Sequence, residues 1–162
     1  MKHKLLAKAK ELGFDLAGIA PALPFAHIGF YESWLERRFH GEMSYLSRQL
    51  DLRLDPRSLL PSARSIVAVG LNYYQPSEFK EGYPRIARYA LGRDYHKVLR
   101  SKLNQLGRWL VAQSPGAEYR VCVDSAPIFD RYYAQQAGIG WFGKNTCLIS
   151  RSVGSWFVIG LL

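Results

Sequence analysis

The 162 residues are 48% hydrophobic and 22% charged, the balance of one globular domain with a sizeable core. Disorder, collagen-like repeats and a disulfide scaffold are excluded, and two cysteines are too few to ligate a four-iron cluster within the chain. Twenty-two Lys and Arg against 13 Asp and Glu give a formal charge of +9, which draws polyanions such as nucleic acid or phosphorylated cofactors.

Leu5, Leu6, Ala9 and Leu12 share a helical face, and Gly13 follows as a stop. Phe14–Ala20 reads as a short buried strand. Phe30, Trp34 and Leu35 mark a second helix with Glu32, Glu36, Arg37 and Arg38 on its wet side. The longest uncharged stretch is broken by Pro21 and Pro24, and the lysine-interrupted N-terminus forms no signal-peptide core, so a cytoplasmic protein is expected, with no membrane partner. Asp55-Pro56-Arg57 has the form of a helix start. Ser65–Asn72 is a near-continuous apolar run, which predicts a strand buried on both faces.

Tyr73–Tyr83 reads as a polar loop and Arg85–Ala90 as a strand. Asp94 opens a helix to about Gln113, with Val98, Leu99, Leu103, Leu106, Trp109 and Leu110 as its apolar stripe and Lys97, Arg100, Lys102 and Arg108 as its charges. Tyr119–Val123 reads as a strand ending at Asp124. A helix is expected from Ser125-Ala126-Pro127 to Ala137, and an antiparallel hairpin from Thr146–Ser150 and Ser155–Leu162. The expected fold class is α/β (α+β), with a mixed sheet flanked by helices. Cys122 and Cys147 are expected as buried, reduced thiols. His3, His27, His40 and His96 are scattered, and no metal site is expected. The apolar end, Trp156–Leu162, suggests the front portion of a longer protein, or a strand covered by a partner.

Gly138-Ile139-Gly140-Trp141-Phe142-Gly143 spells G-x-G-x-x-G, but a helix precedes it and a strand comes after, so it is not a dinucleotide fingerprint. It reads as a turn, or as a place where backbone approaches a ligand beside Lys144, Asn145 and Thr146, with Ile139, Trp141 and Phe142 as an apolar wall. Asp124 reads either as a carboxylate satisfying a helix start or as a general acid at a strand end. As an acid it must be desolvated to keep its proton.

Blocks spread along nearly the whole chain carry a resemblance. They include Gly41-Glu42-Met43-Ser44-Tyr45-Leu46, Asp55-Pro56-Arg57, Gly92-Arg93-Asp94-Tyr95-His96, Val123-Asp124-Ser125-Ala126-Pro127 and Gly138 to Thr146. Together they resemble the N-terminal cobalamin-binding domain of the epoxyqueuosine reductase family. The resemblance implies a flavin-nitroreductase-like fold over residues 1–162. It implies reduction of epoxyqueuosine to queuosine in the anticodon loop of a tRNA with a GUN anticodon. Base-off cobalamin is the implied cofactor, with electrons from two 4Fe-4S clusters in a ferredoxin-like domain that this sequence lacks. Asp124 would be the proton donor. Cobalamin contacts would fall on Arg57, Tyr89, Asp124, Lys144, Asn145, Thr146, Cys147 and Leu148, and Arg131 would face the tRNA. The chain is then expected to bind cobalamin and to need an iron–sulfur partner for turnover. The alternatives are a non-catalytic corrinoid- or RNA-binding module and a reductive dehalogenase-like enzyme acting on a small molecule.

Overall fold

A computed structural model describes residues 1–76 and 81–162. Part of the expected Tyr73–Tyr83 loop, residues 77–80, lies outside the described residues. In chain order the elements are α1 (Lys2–Glu11), β1 (Leu16–Pro21), α2 (Ile28–Glu36), α3 (Leu50–Leu54), β2 (Ser65–Asn72), α4 (Tyr95–Gln113), α5 (Asp130–Gln136), β3 (Trp141–Phe142), β4 (Leu148–Ile149) and β5 (Phe157–Leu161). Short 3-10 turns occupy Ser44–Leu46, Pro56–Ser58 and Arg88–Ala90.

β2 is the middle of a three-stranded antiparallel sheet, with Ala68 opposite Gly18 of β1 on one side and Leu161 of β5 on the other. Its continuous apolar run has the expected cause, because helices cover both faces. Val67 and Val69 join Leu5 and Ala9 of α1 and Leu99, Leu103 and Leu106 of α4. Ile66 and Ala68 join Tyr133 and Ala134 of α5, together with Leu148 and Phe157. Strand periodicity alone sorts the side chains of β2 between two cores. Each fully buried Leu or Val contributes about 1.5–3 kcal/mol.

The caps follow the sequence. Asp94 accepts a hydrogen bond from the backbone N–H of His96 (3.0 Å) and opens α4. Asp55 accepts from the Arg57 N–H (2.9 Å), although the element it opens is a 3-10 turn. The basic side of α4 is partly structural. Lys102 Nζ donates to the Leu12 and Gly13 carbonyls (2.7 and 3.1 Å) and so satisfies the C-terminal end of α1.

Several expectations change. Arg85–Ala90 contains a 3-10 turn instead of a strand. Tyr119–Val123 contributes one isolated bridge, Cys122 with Leu161. The helix expected from Ser125 begins at Asp130. Pro127 disfavours helical backbone at Ala126, and the segment instead closes short turns, Ile128 N–H to Ala126 O and Asp130 N–H to Ile128 O. Thr146–Ser150 does not pair with Ser155–Leu162. β4 pairs with β3, while β5 pairs with β2. Every pairing among the described strands is antiparallel, so the sheet is not the mixed one expected, although the layering of helices on sheet is as expected. Cys122 is buried, but Cys147 is exposed on a turn. Among the described residues no helix is long and apolar enough to cross a membrane.

Candidate functional site

Asp124 sits where the chain leaves the core. Val123 before it is buried, and the Ser125 N–H donates to the Val123 carbonyl at 2.7 Å. That bond closes a three-residue turn with Asp124 at its apex, and its φ is 56°, in the left-handed region. A positive φ at the centre of such a turn is rare and strained for a residue with a side chain. The Asp124 side chain stands out into solvent, 61% exposed.

Two cavities meet at this apex. One, of about 740 Å³, has walls from Tyr31, Trp34, Tyr45, Phe129 and Phe142, with Arg53 among them. The other, of about 520 Å³, is walled by Tyr73, Tyr89, Tyr95, Leu148, Phe157 and Ile159. Asp124, Asp130 and Arg131 line both. The second cavity exists because β5 presents Phe157 to Ile159 along its floor, while the β3–β4 hairpin brings Cys147 and Leu148 to its edge.

The electrostatics are set by three carboxylates. His96 Nε2 lies 3.1 Å from Asp124 Oδ2, and His96 Nδ1 lies 2.9 Å from Asp94 Oδ1. These contacts, Asp124 first, raise the His96 pKa above its ordinary 6.5. The same contact with His96 lowers Asp94. Asp130 is half-buried, and burial pushes its carboxyl up, as does the nearby charge of Asp124. Its Oδ1 accepts from the Arg131 N–H at 2.7 Å. Burial also raises Tyr73 and Tyr95, and Asp124 adds to the effect at Tyr95. Environments that push neighbouring carboxyl and imidazole groups in different directions suit acid–base chemistry.

The expected site residues divide. Tyr89, Asp124, Cys147 and Leu148 meet at one cavity. Lys144, Asn145 and Thr146 form the exposed turn leading to it, and Arg131 holds that turn by donating from Nη1 to the Thr146 carbonyl at 2.6 Å. Arg57 lines neither cavity at Asp124 and is held by Asp55 through Nε and Nη2. The glycine run has a packing cause. A Cβ on Gly140 would come within 2.5 Å of the Ile149 carbonyl oxygen, and one on Gly143 within 2.5 Å of Ile149 Cδ1. Gly140 and Gly143 let β3 close on β4. Ile139 is buried in the core, whereas Trp141 and Phe142 are exposed.

The lining of the second cavity has the chemistry that an apolar ring with polar edge groups calls for. The second cavity pairs a broad wall of aromatic and branched side chains with the polar groups of Ser155, Cys147 and the exposed turn. Sequence reasoning missed Asp130, and it missed the pairing of His96 with Asp124. Asp94-x-His96 is a visible local pattern, but the partner 28 residues on is set only by the fold.

The family profile "Epoxyqueuosine reductase QueG, DUF1730" matches residues 53–125. An epoxyqueuosine reductase from Synechococcus is 42% identical over 98% of this chain and 50% of its own length. A crystal structure of epoxyqueuosine reductase with an epoxyqueuosine-modified tRNA-Tyr stem loop superposes with TM-score 0.82 at 31% identity, covering 99% of this chain and 44% of that one. An epoxyqueuosine reductase from Bacillus subtilis, whose aspartate catalytic loop is swung out of the active site, gives 0.77 at 30% identity, with 99% and 44% covered. The chain thus spans about half the length of these relatives.

Proposed function

The chain belongs to the epoxyqueuosine reductase family, and we propose that it forms the cobalamin-binding, proton-donating part of a cytoplasmic tRNA-modifying reductase. Its substrate is epoxyqueuosine in the anticodon loop of a tRNA with a GUN anticodon, and its product is queuosine. The observation that carries this reading is Asp124, held at the apex of a strained turn where two aromatic-walled cavities meet.

Bound base-off cobalamin supplies the electronic chemistry: converting an epoxide to an alkene and water takes two electrons and two protons. Tyr73, Tyr89, Leu148, Phe157 and Ile159, which line the second cavity, would hold the ring and keep water from it. The Lys144–Cys147 turn, held by Arg131, would offer it polar groups. Asp124 donates a proton to the oxygen as it leaves carbon, so no free alkoxide has to form. The larger cavity, with its aromatic walls and Arg53, suits a nucleobase, because base–aromatic stacking contributes about 1–3 kcal/mol. Iron–sulfur clusters supply the electrons. An aspartate loop that can swing, as in the Bacillus subtilis relative, matches the strained Asp124 turn.

The test is a reduction assay. The chain is loaded with cobalamin, reduced with titanium(III) citrate, and given an anticodon stem loop bearing epoxyqueuosine. Mass spectrometry of the digested RNA should show loss of one oxygen atom. An unchanged epoxide, with cobalamin demonstrably bound and reduced, overturns the reading.

A further inference from the structure

One imidazole stands between two carboxylates at the candidate site, and its hydrogen count decides what it does. His96 Nδ1 faces Asp94 Oδ1 at 2.9 Å and Nε2 faces Asp124 Oδ2 at 3.1 Å. Each gap needs a hydrogen to be attractive. A neutral imidazole carries one N–H, so two bonds require one more proton than neutral His96 with two carboxylates supplies. We propose that Asp94, His96 and Asp124 form a single unit that stores this extra proton and delivers it through Asp124, with His96 as the positioning residue.

This rests on the reading of Asp124 as proton donor and deepens it. The Asp124 side chain is 61% exposed, with its carboxylate set against His96 Nε2. The store therefore lies on its neighbour, and the raised pKa of His96 agrees. The step balances. In one relay the His96 Nε2 proton passes to Asp124 as Asp124 passes a proton to the departing substrate oxygen, which keeps the electron pair of the breaking C–O bond. Asp124 ends as the carboxylate it began as, and His96 is left neutral with its Nδ1–H donated to Asp94. The spent unit has a lone pair on Nε2 facing a carboxylate oxygen, which removes the bond holding the strained Asp124 turn.

The surroundings are accounted for. Tyr95 stacks on the imidazole at 3.9 Å between centroids. Lys97 lies near Asp94. Arg100 of the same helix donates to Ser125 Oγ at 3.1 Å, next to Asp124. Asp130 from α5 adds negative charge near Asp124. Asp94 and Asp124 alone touch the two ring nitrogens in hydrogen-bond geometry among the described residues.

Two measurements test it. The first needs no cofactor: NMR titration of the His96 ring nitrogens in the intact chain. Both nitrogens should stay protonated to a pH above the ordinary histidine value, and the midpoint should fall in Asp124→Asn and in Asp94→Asn. A His96 that titrates normally, or one indifferent to both variants, overturns the proposal whatever the chain catalyses. The second is the pH dependence of single-turnover epoxide opening in His96→Gln, whose amide still donates to Asp124 but cannot titrate. The rate should fall at least tenfold at alkaline pH, on the order expected for losing a proton store, and the deficit should narrow as pH drops and solvent supplies the proton. An alkaline limb that does not move refutes the store. If the parent protein opens no epoxide, the reductase reading fails and the NMR titration alone decides the unit.

Discussion

Replacing Asp124 should separate catalysis from folding. Its φ of 56° lies where an ordinary L-residue is strained by about 1–2 kcal/mol, while Asn tolerates the same backbone. Its bond to His96 joins two solvent-accessible side chains, 61% and 36% exposed, and such pairs contribute about 0.2–1 kcal/mol. Asp124→Asn keeps the left-handed preference and an acceptor oxygen for His96 Nε2–H. Its stability in urea should therefore lie within about 1 kcal/mol of the parent. The proton is gone, so epoxide opening should fall about a hundred- to ten-thousand-fold. Asp124→Ala should lose the same activity and about 1–2 kcal/mol more stability, from backbone strain. Urea midpoints and single-turnover rates on the same preparations decide it. An Asn variant with activity within tenfold of the parent would refute the acid role, and an activity loss that merely tracks unfolding would reduce Asp124 to a structural turn.

Gly140→Ala must push the Ile149 carbonyl away from a Cβ otherwise 2.5 Å distant, so β3 should part from β4 at about 1–3 kcal/mol, read as a lower urea midpoint and weaker cobalamin binding. Leu103→Ala, at a side chain with no exposed surface in the α4 core, should cost about 2–5 kcal/mol in urea while leaving cobalamin binding unchanged under conditions where the variant is folded. Asp55 is held below its ordinary 3.8, chiefly by its bond from the Arg57 side chain. A lowered carboxyl stabilises above its unfolded pKa and ceases to do so as pH falls through its folded pKa. The stability gap between the parent and Asp55→Asn, measured in urea, should therefore be present at neutral pH and shrink below 3.8.

The parts legible in the sequence were those fixed by local periodicity. The unbroken apolar run of β2 signalled burial on both faces because it lacks the alternation a half-wet strand would show. The i, i+4, i+7 spacing of Leu99, Leu103 and Leu106 marked α4, and Asp94 marked its cap. The late start of α5 turns on Pro127, whose restraint on Ala126 outweighs the helix pattern. The partners of the short strands were not legible. Which of Phe142 and Phe157 lies beside Leu148 depends on the close approach that Gly140 and Gly143 permit, which a residue pattern does not encode. The site divided the same way. Asp124 stood out by its position at the end of an apolar segment, but its tie to His96, its strained backbone and the burial of Asp130 arise only when β5, α4 and α5 converge.

The proposed chemistry requires a corrin ring lying against the Tyr73–Leu148–Ile159 wall beside Asp124. Visible absorption during titration of the purified chain with cobalamin reads that directly. Binding there predicts saturation at one equivalent with a base-off spectrum, and loss of that spectrum when Ile159 is replaced by glutamate in a variant that still folds. A spectrum identical to free cobalamin at every ratio, or binding indifferent to Ile159→Glu, would contradict it.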